Sequence, residues 1–128
     1  QVLSFLSQVA GQTIVLPGTP ALSFDGPGCL ARGIGKKILP ENKQNCYAND
    51  RAEQGIEVAG YLQTETQQYA NVSLLDLNEL VCPKGVCVAK NTEGLIVFRD
   101  SQHLTDSFVR SLVPDVTKKL MKLGVSYD

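Results

Sequence analysis

His103 is the only histidine in the sequence, and Asp100 precedes it by three residues. Histidine is the residue type whose ordinary pKa lies closest to neutrality, so it suits a general base. A carboxylate on one ring nitrogen fixes the tautomer and stabilises the imidazolium that forms when the other nitrogen takes a proton. Asp-x-x-His can bring these groups together across one turn. On spacing alone, however, a surface histidine beside a helix-capping aspartate is the favoured interpretation.

The elements around this pair are a strand before it and a helix after it. Residues 86–89 and 95–98 are apolar and flank the turn residues 90–94, which predicts a hairpin. Catalytic groups of α/β sheets lie at strand ends, as this pair does. Pro114 either kinks the following helix or opens a second one. The apolar positions of that helical segment are Phe108, Leu112, Val116, Leu120 and Leu123.

The first part of the chain predicts one step of a parallel α/β sheet. A helix over residues 2–10 ends at Gly11, and a buried strand follows over residues 13–16. Residues 17–48 are rich in proline and glycine and predict a long loop with one short helical turn.

A second helix and strand follow this loop. Asn49 or Asp50 caps the helix, residues 72–75 form the strand, and residues 77–81 form one helical turn. The core face of the helix is predicted to carry Ala52, Ile56, Ala59, Leu62 and Tyr69. Open α/β sheets usually have five or more strands. We therefore expect one α/β domain over residues 1–128 that is incomplete at its amino-terminal end.

The four cysteines favour two disulfides. Cys29 and Cys46 lie in the loop-rich stretch, while Cys82 and Cys87 flank a short turn. The pairing Cys29–Cys46 and Cys82–Cys87 closes two local loops. A structural zinc site is the alternative, but it usually has two close cysteine pairs, and only the second pair has that spacing. Disulfides predict an oxidising compartment.

Composition excludes several classes of protein. The chain has 128 residues, 43% of them hydrophobic and 20% charged, with a net charge of −1. This balance fits a single globular domain and gives no reason to expect a nucleic-acid partner. No apolar run is long enough for a membrane helix, and the first residues do not form a signal peptide. The residues imply neither a metal nor an organic cofactor.

The motif FRDSQHLT at residues 98–105 resembles the last conserved block of SGNH hydrolases. More closely, it resembles the extracytoplasmic SGNH domain of bacterial membrane acyltransferases of family 3. The segment CPKGVC at residues 82–87 is similar to that family's paired-cysteine turn, and IVLPGTP at residues 14–20 is similar to its strand and Thr-Pro loop. The resemblance covers about residues 13–113.

The resemblance implies a three-layer α/β/α, flavodoxin-like fold. It also implies that Asp100 orients His103 and that His103 activates a serine, which transfers an acyl group to a sugar hydroxyl or to water. The implied partners are a membrane acyltransferase domain and a carbohydrate acceptor, and the implied location is extracytoplasmic and tethered to the membrane. The family's nucleophile lies in a Gly-Asp-Ser block, and this sequence has no such block.

The nucleophile is therefore unassigned, and two interpretations remain. The chain is the carboxyl-terminal part of an SGNH domain, whose missing amino-terminal segment carries the serine and acts as its partner, so that the chain alone is inactive. Alternatively, it is a non-catalytic binding domain of the same fold, associated with a membrane acyltransferase. We favour the first, because the only histidine still has its aspartate.

Overall fold

The computed structural model describes residues 1–34 and 46–125, with six α-helices, one 3-10 helix at Pro83–Gly85 and four short strands in this part. The helices are α1 Val2–Val9, α2 Gly26–Ile34, α3 Asp50–Thr66, α4 Asn78–Val81, α5 Asp106–Ser111 and α6 Val113–Lys122. The strands are β1 Thr13–Val15, β2 Tyr47–Ala48, β3 Val72–Leu74 and β4 Cys87–Val88. This mixture is the α/β class that the sequence predicts.

The two strands predicted as buried form a parallel pair, but they are only partly buried: β1 has no buried residue, and Val72 is the buried residue of β3. β1 aligns with β3 from Thr13 opposite Val72 to Val15 opposite Leu74. Leu75 extends the pair by donating its N–H to the Val15 carbonyl at 2.8 Å. Helix α3 contacts β3, so the chain between the parallel strands crosses over the sheet as such connections require. The finer three-layer, flavodoxin-like arrangement stays a prediction.

A second, antiparallel ladder leads to the Asp100–His103 segment. The N–H of Ala89 donates to the Cys46 carbonyl at 2.8 Å, the N–H of Val97 to Ala89 at 2.9 Å, and the N–H of Thr105 to Val97 at 2.9 Å. The predicted hairpin turn forms within this ladder, but the strand predicted over residues 95–98 is not continuous: Ile96 is joined to Lys90, and Phe98 to Leu104, only by isolated bridges. Four separate segments of the chain are thereby joined edge to edge.

Both predicted disulfides are present, Cys29–Cys46 and Cys82–Cys87. The second pair belongs to the main core, where Cys82 is 2% and Cys87 0% exposed. The buried residues of this core are Leu22, Ala48, Val81, Cys82, Cys87, Ala89, Val97, Phe98 and Phe108. Because Val97 and Phe98 lie just before Asp100, the chain enters the candidate site from a buried, extended segment.

The loop predicted over residues 17–48 contains a nine-residue helix, α2, so the expected single helical turn is too short. The carboxylate of Asp25 accepts the N–H of Gly28 at 3.0 Å and caps the new helix. Pro27 lies in the first turn, where its missing N–H removes no helical bond. The part of the predicted loop over residues 35–45 lies outside the described residues.

The apolar face predicted for α3 is partly wrong. Ala59 is buried, but Ile56 is 57% exposed, and the buried residue near the helix end is Thr66 at 1% exposure. Thr66 can be buried because its hydroxyl donates to the Gln63 carbonyl at 3.1 Å. The side chain of Ala52 lies outside the described residues.

At the helix start, Asn49 occupies the capping position, but its side chain makes no capping bond. Near the end of the chain, Pro114 opens a second helix instead of kinking one: α5 ends at Ser111 and α6 begins at Val113.

Helix α1 has the predicted apolar spacing, yet it buries no residue. Val2, Phe5 and Val9 are 72%, 63% and 62% exposed. In the described part of the chain, none of the helices combines the length and the hydropathy needed to cross a bilayer.

Candidate active site

Asp100 and His103 lie in a short loop, residues 99–104, which we call the dyad loop. Its two ends are held side by side, because Phe98 is bridged to Leu104 and the N–H of Arg99 donates to the His103 carbonyl at 2.9 Å. Phe98 is fully buried, so the entry of the loop is fixed in the core. The loop is therefore a closed turn at the end of the ladder.

The carboxylate of Asp100 uses its two oxygens differently. Oδ1 accepts the backbone N–H of Gln102 at 2.7 Å and that of His103 at 2.8 Å. Oδ2 contacts Nδ1 of the His103 ring at 2.8 Å. The amides of Gln102 and His103, and then the His103 side chain, lower the pKa of Asp100 to about 2. The carboxylate is consequently ionised at any pH near neutrality.

The ionised carboxylate determines what the imidazole of His103 can do. An oxygen without a proton can only accept, so Nδ1 is the donor of this contact and the lone pair of the neutral ring lies on Nε2. Among the described residues, none makes a hydrogen bond to Nε2, and the His103 side chain is 63% exposed. The pair is thus an exposed imidazole that a carboxylate holds through Nδ1, with no hydrogen bond to Nε2 from the described residues.

Two contacts outside the dyad loop hold it in place, and sequence spacing did not predict either of them. The N–H of Leu22, a fully buried residue, donates to the Ser101 carbonyl at 2.8 Å. At the exit of the loop, the hydroxyl of Thr105 donates to the Ile96 carbonyl. Thr105 could have been recognised as a helix cap, because a threonine just before an apolar-periodic segment is typical of one.

Arg99 adds a charge close to the pair. Its Nε lies 3.9 Å from Oδ2 of Asp100, and its side chain is 67% exposed. An exposed pair at this distance contributes little to stability. The orientation of the imidazole therefore depends on Asp100 and on the backbone of the loop.

None of the serines in the described part of the chain makes a hydrogen bond to His103. Ser101 is bound through its carbonyl to Leu22, and the hydroxyl of Ser107 lies 3.4 Å from that of Thr105. Ser126 lies outside the described residues. The described residues also contain no group of three His, Cys, Asp or Glu side chains that could hold a metal ion.

Two cavities lie elsewhere in the described part. One, of about 310 Å³, is mainly apolar and lies between the Cys82–Cys87 turn, the hairpin loop and Phe108. The other, of about 270 Å³, lies at the carboxyl end of β3 beside Asp76, Lys119 and Lys122. Neither is lined by Asp100 or His103.

A comparison of the sequence with known protein families gives a match that covers the Asp100–His103 pair. The family described as "SGNH domain (fused to AT3 domains)" matches residues 1–118, where AT3 stands for acyltransferase 3. This match includes both the pair and its anchoring residues, and it confirms the resemblance seen in the motifs. Neither the curated proteins nor the solved structures provide a significant match.

Proposed function

This chain belongs to the family of SGNH domains fused to acyltransferase 3 domains, and from that premise we propose that it supplies the Asp–His half of a serine-type acyl-transfer site. The observation that carries the proposal is the 2.8 Å contact between Nδ1 of His103 and the ionised Asp100, with Nε2 left facing solvent. A base oriented in this way needs only a hydroxyl at Nε2 to become a triad.

In the proposed reaction, Nε2 of His103 accepts the proton of a serine hydroxyl while the serine Oγ forms a bond to the acyl carbonyl carbon. Asp100 stabilises the imidazolium that results. The imidazolium then returns the proton to the departing group, and the acyl group stays on the serine as an ester. In the second half, Nε2 of His103 accepts the proton of a sugar hydroxyl or a water molecule while that oxygen forms a bond to the acyl carbonyl carbon. The imidazolium then returns the proton to the serine Oγ as the ester bond to the serine breaks.

We propose that the serine lies in a Gly-Asp-Ser segment of the same three-layer domain, outside the residues of this chain. That segment, a membrane acyltransferase domain that delivers the acyl group and a carbohydrate acceptor are the proposed partners. The two disulfides support an extracytoplasmic location, because such bonds persist in oxidising compartments. The fusion to acyltransferase 3 domains, seen for this family, supports tethering to the membrane.

A non-catalytic binding domain of the same fold is the second candidate. It is favoured by the lack of a described serine at His103. The two candidates differ in one observation: a Gly-Asp-Ser segment in the polypeptide that carries this domain favours the enzyme, and its absence favours the binder. For this chain by itself we expect no hydrolysis of acetyl esters.

The decisive experiment replaces His103 by alanine in the polypeptide that includes the acyltransferase 3 domain. We expect acetyl-ester hydrolysis to fall by roughly 10⁴-fold or more, because a triad loses most of its rate when its base is removed. The matched control is Gln102→Ala. It changes the side chain next to His103 in the loop but keeps the backbone N–H of residue 102 that holds Asp100. Unchanged turnover in His103→Ala would exclude the catalytic role.

A further inference from the structure

Thr105 lies at the junction between the dyad loop and helix α5. We infer that Thr105 is a positioning residue, whose hydroxyl holds the dyad loop closed so that His103 stays against Asp100. The inference rests on the proposed function, since it gives that site a residue that acts through the pair without touching substrate.

The contacts of Thr105 point in two directions. Towards the strand, its N–H donates to the Val97 carbonyl at 2.9 Å and its hydroxyl donates to the Ile96 carbonyl. Towards the helix, the same hydroxyl accepts the N–H of Phe108 at 3.3 Å and caps α5. One side chain therefore ties the extended segment before the loop, at Ile96, to helix α5 after it.

These bonds lie next to the turn that orients the imidazole. His103 is two residues before Thr105, and its carbonyl accepts the N–H of Arg99 across the neck of the loop. The carboxylate of Asp100 is held by the backbone amides of Gln102 and His103, so it keeps its place only while the turn stays closed. Releasing Thr105 from Ile96 frees the exit of the loop and loosens those amides.

The chemistry of the hydroxyl makes the role specific. It must donate to one backbone group and accept from another, which serine can do and valine cannot. Valine has nearly the same shape, so Thr105→Val removes the hydrogen bonds while the packing is kept. Thr105→Ser keeps the hydrogen bonds and removes the methyl group. Ser107→Ala is the matched control, because it removes the 3.4 Å hydrogen bond between the Ser107 and Thr105 hydroxyls but leaves the bonds of Thr105 to Ile96 and Phe108 in place.

The experiment is an NMR titration of the Asp100 carboxyl carbon in this chain and in the three variants, with thermal melting recorded for each. We expect the midpoint at about 2 in the unchanged chain, in Thr105→Ser and in Ser107→Ala. In Thr105→Val we expect it to move up towards the ordinary value of 3.8, because the amides of the turn no longer hold the ionised form. Thr105→Ala gives the same comparison if the valine variant does not fold.

Other outcomes overturn the inference. A midpoint that stays at about 2 in Thr105→Val, with or without a lower melting temperature, would mean that the hydroxyl only caps the helix. Equal movement in the serine and valine variants would overturn the inference as well, because the serine variant keeps the hydroxyl and the hydroxyl would then not be the group that holds the loop. Unfolding of both the valine and alanine variants would mean that Thr105 holds the fold and has no separate effect on the pair. Because no substrate is used, the result is independent of whether the site is catalytic.

Discussion

At the scale of single residues, the two oxygens of the Asp100 carboxylate bind different groups, one the backbone and the other the imidazole. Two amides hold Oδ1, and the His103 ring meets Oδ2. Sequence spacing predicted that the two side chains could meet. The interpretation favoured on spacing alone, a capping aspartate beside a surface histidine, also describes part of the structure. Asp100 does bind backbone amides, and His103 is exposed. The catalytic role of the pair stays a prediction.

The lowered pKa of Asp100 predicts how stability depends on pH. Its pKa in the folded protein, about 2, lies below the ordinary 3.8, so folding favours the ionised form. The contribution of this carboxylate to the free energy of unfolding is complete at pH values above 3.8, and it disappears as the pH falls through about 2. We expect Asp100→Asn to melt below the unchanged chain at neutral pH, and this difference to shrink as the pH approaches 2.

Melting curves recorded across this pH range test the prediction. The control is Gln102→Ala, which leaves all the hydrogen bonds of the carboxylate in place and should keep the pH dependence of the unchanged chain. A constant difference between the unchanged chain and Asp100→Asn at every pH would contradict the assignment, because it would mean that Asp100 has the same pKa in the folded and unfolded states.

At the scale of elements, α2 packs its first residue against the strand that leads to the dyad loop. A Cβ added at Gly26 would meet Cδ1 of Leu22 at 3.0 Å and Cβ of Ala89 at 3.4 Å. Both neighbours are fully buried, so neither can move away easily. We expect Gly26→Ala to lower the free energy of unfolding by about 1–3 kcal/mol through overpacking, measured by urea denaturation.

Gly60 provides the matched comparison for Gly26. It lies in the interior of α3, and a Cβ added there meets nothing within 4 Å. Gly60→Ala should therefore raise the free energy of unfolding by about 0.8–1 kcal/mol, because alanine restricts the unfolded chain and favours the helix. If the two substitutions had the same sign of effect, the packing argument for Gly26 would fail.

The elements that the sequence predicted well are those with their own local signals. β1 is a short β-branched run, β3 is a short and mainly apolar one, and Pro114 marks the start of α6 as a proline in a first turn does. α2 was underestimated because its glycines and Pro27 are typical of loops, whereas the Asp25 cap and the packing of Gly26 make it a helix. The exposure of Ile56 depends on which side of α3 meets β3, and periodicity alone cannot determine that.

At the scale of the whole molecule, the two disulfides constrain different lengths of chain. Cys29–Cys46 spans 17 residues and Cys82–Cys87 spans 5. On the chain-entropy model, the first contributes about 3 kcal/mol to the free energy of unfolding and the second about 2 kcal/mol. We expect the double alanine variant of the first pair to lose more stability in guanidinium denaturation.

Burial of the second pair in the core adds to the stability that its removal would cost, and the same denaturation experiment measures this. Cys82 and Cys87 are buried in the core, so their removal also leaves a cavity. A larger loss for the second pair would therefore show that packing outweighs loop closure. The pairing itself could be predicted from the sequence, because each bond closes a local loop, but the burial of one pair and not the other depends on the tertiary fold.

The sequence could not predict that the amino-terminal helix α1 has no buried residue. The predicted apolar positions of this helix are Val2, Leu3, Leu6 and Val9, and the helix forms as predicted, but Leu3 and Leu6 are only half-buried and the other two are exposed. Local periodicity reports that a face is apolar. It does not report whether a partner element is present to cover that face.

The closed dyad loop also has a consequence for the order of folding. Asp100 and His103 are three residues apart, and loops of about ten residues close within about 10–100 ns. The base and its carboxylate can therefore meet long before contacts such as Leu22 with Ser101, which are distant in sequence, are made. In the site proposed above, the serine would therefore reach an imidazole that Asp100 has already oriented.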